Sequence, residues 1–72
     1  MMNQLVHKQA REDPDGVRTT FTVPEPYATG SLRLCLNGRS YLDDWAITGY
    51  LEVTIEEAPE EGDVVSFWYQ QV

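Results

Sequence analysis

Apolar and polar residues alternate with a period of two in four separate stretches of this chain. Val17–Val23 reads V-R-T-T-F-T-V, which places Thr19, Phe21 and Val23 on one face. Ser31–Leu36 puts Leu32, Leu34 and Leu36 on one side, with Ser31, Arg33 and Cys35 on the other. Tyr50–Ile55 turns Leu51, Val53 and Ile55 one way, and Val64–Gln70 does the same with Val65, Phe67 and Tyr69. Successive side chains of an extended strand point to opposite faces, so each pattern predicts a half-buried β-strand. The predicted core is Phe21, Val23, Leu32, Leu34, Leu36, Leu51, Val53, Ile55, Val65, Phe67 and Tyr69. No window carries the three-to-four spacing of a helix.

The breaks between these stretches have turn chemistry. Asp13-Pro14-Asp15-Gly16 presets one φ with proline and offers a positive φ at glycine. Pro24-Glu25-Pro26 ends a strand, because neither proline can donate to a ladder. Asn37-Gly38 suits a type I′ hairpin, which needs positive φ at both central residues; Arg39–Leu42 is then a short return strand. Asp43-Asp44-Trp45 is expected to open an irregular link that ends near Gly49. Glu56–Asp63 forms an acidic turn around Pro59 and Gly62. Residues 1–12, with the apolar pair Leu5 and Val6, are expected to be an N-terminal arm or a first strand ahead of a single domain over 13–72. Short strands at this spacing predict an all-β fold: a small antiparallel β-sandwich or partly open barrel of about six or seven short strands.

Length and charge narrow what such a fold does. Seventy-two residues make one small domain. There is no apolar run long enough for a membrane span and none suited to a secretory signal. Net charge is −7, which argues against partners recognised through phosphate neutralisation, nucleic acid and anionic membrane alike. The charge is uneven. Residues 1–39 hold all five basic residues and four acidic ones; residues 40–72 hold eight acidic and no basic ones. Such asymmetry suits steered assembly. Cys35 stands alone, so no intramolecular disulfide and no multi-thiolate metal site exists, and a reducing cytoplasm is the expected place of synthesis.

Few residues point to chemistry. His7 is the only histidine and lies far from any nucleophile-elbow motif, so no catalytic role is expected. Asp43 and Asp44 are adjacent and point apart on an extended chain, which does not suit a glycosidase pair. The acids Glu52, Glu56, Glu57, Glu60, Glu61 and Asp63 lack the spacing of a Ca²⁺ loop and read as a solvated turn. No cofactor is expected. The sharper signals are aromatic. Trp68 alternates away from the predicted core between Phe67 and Tyr69, so it either covers the second sheet face or anchors an interface. Trp45, Tyr27 and Tyr41 fall in loops or short strands, where they pack on turns or line a sugar-binding surface. With Arg33, Arg39, Leu5 and Val6 they complete the candidate interface residues.

The order of these elements carries a resemblance. The chain runs Asp15-Gly16-Val17-Arg18-Thr19-Thr20-Phe21-Thr22-Val23-Pro24, Pro26-Tyr27, Gly30-Ser31-Leu32-x-Leu34-x-Leu36-Asn37-Gly38, then Asp44-Trp45 and Leu51-x-Val53-x-Ile55. It closes with Ala58-Pro59-x-x-Gly62-Asp63-x-Val65-x-Phe67-x-Tyr69. Over residues 15–72 this resembles the small β-sandwich module of tailed-phage virion proteins, of the tail-fibre, appendage and neck type. Where that pattern has Tyr after the acidic residue, this chain has Trp45. The resemblance implies a structural role in the virion, as a small adaptor, collar, tail or capsid-decoration subunit. Its expected partners are other virion proteins, portal, neck, tail or capsid, within a symmetric homo-oligomer. Two other readings accompany it: a receptor- or carbohydrate-binding module of a tail appendage, and an acidic DNA-mimic inhibitor of a host protein.

Overall fold

The computed structural model describes residues 4–72; the first three residues of the expected N-terminal arm lie outside the described part. Seven strands follow in chain order: β1 (Leu5–Gln9), β2 (Thr20–Thr22), β3 (Arg33–Leu36), β4 (Arg39–Ser40), β5 (Trp45–Gly49), β6 (Glu52–Ile55) and β7 (Val65–Gln70). They make two antiparallel sheets, β1-β7-β3-β4 and β2-β6-β5, with no helix among the described residues. The fold is thus an all-β sandwich and not a barrel.

The core lies between the sheets and follows from the alternation. Phe21, Val23, Leu32, Leu34, Val53, Ile55, Val65, Phe67 and Tyr69 are all buried there. Two residues expected in the core are only half-buried, Leu36 and Leu51. Leu51 has φ +56°. It sits in the two-residue turn that joins β5 to β6, so it leaves the strand alternation one position early, yet still packs against the core. A left-handed backbone is uncommon for a bulky side chain.

Four strands are shorter than expected by one or two residues at one end, among them the return strand expected over Arg39–Leu42, which is strand only at Arg39–Ser40, and one, β2, is much shorter. Of Val17–Val23 only Thr20–Thr22 is strand. The carboxylate of Asp15 accepts from the backbone N–H groups of Val17 and Arg18 at 2.9 and 2.6 Å, which holds that segment in a turn and leaves Val17 81% exposed. Those two hydrogen bonds, Arg18 first, also pull the Asp15 carboxyl below its ordinary range. The expected irregular link over Asp43–Gly49 is corrected: Trp45–Gly49 is strand β5, paired with β6. It shows no clean alternation because it lies at a sheet edge, where four of its five residues are exposed. A register shift between Ile47 and Gly49 breaks what pattern remains.

The Asn37-Gly38 hairpin has both central residues at positive φ, +53° and +81°, as the type I′ geometry requires. Asn37 also ties this hairpin to the start of β7. Its Oδ1 accepts from Val64 N–H at 2.8 Å, its own N–H donates to Val64 C=O at 2.8 Å, and its Nδ2 donates to Asp63 at 3.1 Å.

Candidate functional site

Alternation gives the four-stranded sheet a second face, away from the core. The cross-strand register aligns His7 with Trp68 and Trp68 with Arg33. An imidazole, an indole and a guanidinium therefore form a row across β1, β7 and β3. Leu5 and Gln9 flank His7 on β1, and Ser66 and Cys35 stand one register step away from Trp68 and Arg33.

The row is ordered by specific contacts. The His7 ring stacks on Trp68 with centroids 4.6 Å apart and planes 12° from parallel. His7 Nε2 shares a hydrogen bond of 2.8 Å with Ser66 Oγ. Two anchors on one imidazole fix both its rotation and its depth, so the stacked pair presents one surface. The Arg33 guanidinium donates to the carbonyls of Leu32 and Gly30 at 3.0 and 3.3 Å, which turns it back toward the loop that leads into β3. Trp68 remains 42% exposed and Leu5 57% exposed. Open depressions lie on either side, one between His7, Gln9, Asn37 and Ser66, the other between Leu5, Ser31, Arg33 and Gln70.

A hydroxyl bonded to an imidazole is also the first half of a nucleophilic dyad. The linear pattern gave no sign of it, since the two residues are 59 positions apart. Ser66, however, is only 2% exposed, and His7 has no carboxylate hydrogen-bond partner among the described residues. The buried hydroxyl, bonded to a ring that is also stacked on Trp68, holds that ring in place. Cys35, on the face of its strand opposite the leucine row, is buried at 2% exposure, and burial pushes its thiol pKa up, the reverse of what a reactive thiolate needs.

The other candidate residues are placed differently. Val6 lies on the inward face of β1, opposite Tyr69, and packs on the core. Tyr27, Tyr41 and Trp45 also pack against the core as half-buried residues. Tyr27 bridges to Gln71 and tilts against Tyr69, whereas Trp45 stands on β5 of the other sheet. Tyr27 lines a shallow groove with Pro26, Tyr50 and Leu51, while Trp45 borders a different depression beside Thr48 and Glu56. Tyr27 and Trp45, expected with Tyr41 to pack on turns or line a sugar-binding surface, therefore border different grooves. Arg39 is exposed on β4. Leu5, Trp68 and Arg33 are the candidates brought together on one face, and His7 joins them.

A second polar cluster locks β1 in place at the rim. The Glu25 carboxylate takes an ion pair from Lys8 at 2.7 Å, a hydrogen bond from the Tyr69 hydroxyl at 2.7 Å and one from the Gln71 amide at 3.3 Å. These partners, Lys8 first, hold its pKa at about 2. Burial, then Glu25 itself, raises the pKa of the Tyr69 phenol. On the opposite sheet Glu12 accepts from the Thr22 N–H and hydroxyl at 2.7 and 2.6 Å. Burial raises the Glu12 pKa, but these bonds outweigh it and the net shift is downward.

Several acids of residues 52–63 are engaged in local structure. Asp63 caps Glu60 N–H at 2.9 Å and Glu52 accepts from Thr48 at 2.8 Å. Among the described residues no three His, Cys, Asp or Glu side chains cluster in a way that would hold a metal ion. Compared with known proteins, the chain matches no family model, no curated protein and no solved structure.

Proposed function

We propose that this domain is a structural subunit of a tailed-phage virion that works by protein–protein assembly, with the outer face of its four-stranded sheet as the docking surface. The observation that carries this reading is the Trp68 row. An indole that is 42% exposed is stacked on a histidine whose ring is itself pinned by Ser66. Exposed aromatics held rigid before binding lose little freedom on association, which is the character of interface anchors. Leu5 adds apolar area and Arg33 adds donors on the same face. The assignment to a virion comes from the resemblance over residues 15–72; the choice of surface comes from the geometry.

The mechanism is complementarity. A partner covers Trp68 and Leu5, takes the outward edge of the Arg33 guanidinium, and meets a surface poor in acids. The acidic second half of the chain, with eight acids and no base after position 39, keeps the remaining surface soluble and discourages wrong contacts through like charge.

Trp68→Ala tests this directly. Its side chain contributes nothing to the buried core, so the urea midpoint of the isolated domain is expected to move little. Incorporation into particles in a complementation assay is expected to fall at least tenfold. Equal loss of stability and incorporation would assign Trp68 to the fold and remove it from the interface.

A further inference from the structure

The sandwich has four strand edges, and they are treated unequally. Edge strands expose unpaired backbone groups, and proteins blunt them with short length, charge or cover. Strand β4 is two residues long and carries Arg39. Strand β1 carries Lys8. The free side of β2 is closed from within the chain: Glu12 takes the Thr22 N–H, Arg11 N–H donates to the Thr22 carbonyl at 3.2 Å, and the Arg18 guanidinium donates to the Thr20 carbonyl at 3.4 Å. Strand β5, W-A-I-T-G, has no charge and no proline, and is five residues long.

The ladder shows which groups of β5 are free. In an antiparallel pair only alternate residues exchange hydrogen bonds. Ile55 N–H reaches Thr19 and Val23 N–H reaches Leu51, so Ile55, Val53 and Leu51 bond toward β2. Glu56 N–H reaches Asp44, so Glu56 and Thr54 bond toward β5. Thr54 pairs with Ala46. Asp44 and Ala46 are therefore engaged, and the backbone groups of Trp45 and Ile47 point to the open edge.

We infer that β5 pairs antiparallel with β5 of a second copy of this chain, about a two-fold axis through Ala46. Trp45 and Ile47 are the two outward positions. Setting Trp45 of one copy against Ile47 of the other satisfies both, and symmetry repeats the pair, for four hydrogen bonds. Ala46 then faces its own counterpart in a position without backbone bonds, where the two Cα atoms approach to about 4.5 Å; its methyl group fits that spacing. The extended backbone ends before Trp45, at Asp44 with φ +67°, so the bonded register is confined to Trp45–Ile47. The bonded segment Trp45–Ile47 carries no charge, so no acid is set against an acid within it. Ile47, 54% exposed, meets Trp45. Aromatic and β-branched residues in directly opposed positions are favourable partners. The register shift begins beyond Ile47, outside the bonded segment. The product is a continuous six-stranded sheet, β2-β6-β5-β5-β6-β2. This inference stands apart from the virion reading, which uses the other sheet.

Sedimentation of the full chain tests it. The mass is expected to double with rising concentration, and more readily in high salt, because each copy carries a charge of −7 and salt screens that repulsion. Ala46→Glu puts two like charges on the axis and is expected to leave a monomer, its fold checked by near-ultraviolet circular dichroism. Ala46→Cys supplies an independent arm: Cα atoms about 4.5 Å apart lie within disulfide reach, so oxidation is expected to give a covalent dimer. Thr48→Cys is expected not to, and neither is the wild type, whose Cys35 is buried. A wild type monomeric at every salt, or no cross-link through position 46, would overturn the inference. Cross-linking at 48 as fast as at 46 would overturn the register. Mass gain only on adding a different virion protein would assign the edge to that protein and overturn the homodimer.

Discussion

Glu25 illustrates how much a single side chain organises. One carboxylate joins Lys8 on β1, Tyr69 and Gln71 at the end of the chain, and the Pro24–Pro26 corner that carries it. Its folded pKa, about 2, lies below the ordinary glutamate value of about 4.3. The sign of the linkage follows. A depressed carboxyl binds fewer protons folded than unfolded, so its contribution is complete above the ordinary value and is lost as pH falls through about 2. The urea midpoint of the wild type is therefore expected to decline across that acid window. Glu25→Gln is expected to lower the midpoint at neutral pH and to flatten the acid limb, because the variant has no proton to gain there. An acid limb as steep in the variant as in the wild type would assign the dependence to other carboxyls. Glu12 and Asp15, also held low by hydrogen bonds, set the remainder.

Among the elements, the Asn37-Gly38 hairpin sets β3 against β4 and ties this corner to the start of β7. Gly38 stands at φ +81° with no heavy atom near an added Cβ, so Gly38→Ala tests backbone strain without a clash. It is expected to cost about 1–2 kcal/mol in urea unfolding; an unchanged midpoint would mean the turn relaxes to another type. This hairpin was legible in the sequence because Asn-Gly states a backbone conformation outright. Val65, Phe67 and Tyr69 were legible because strict alternation states a buried face. Strand β5 was not. An edge strand with one half-buried residue and a register shift has no alternation to read, and Asp43-Asp44 ahead of it looks like loop. The Trp68 row was legible in part. The outward turn of the indole follows from counting along β7, whereas His7 reaches it only through the β1–β7 pairing across 59 positions. For Trp45, Tyr27 and Tyr41 the sequence left turn packing and a sugar-binding surface both open, because their half-burial against the core depends on how the two sheets close.

At the scale of the molecule, three surfaces divide the labour. The core between the sheets holds nine buried side chains. The outer face of β1-β7-β3-β4 offers the stacked Trp68 and His7. The open edge of β5 lies in the second sheet, in the acidic half of the chain. On the two proposals, a subunit that docks through one sheet and pairs through the other would make two kinds of contact without their surfaces overlapping. The most direct measurement is quantitative mass spectrometry of purified phage particles from cells that make this chain, counting it against the major capsid protein. A fixed copy number per particle is expected, set by the symmetry of the capsid, neck or tail. Abundance in infected cells with absence from purified particles would contradict it, and would favour an acidic inhibitor acting on a host protein.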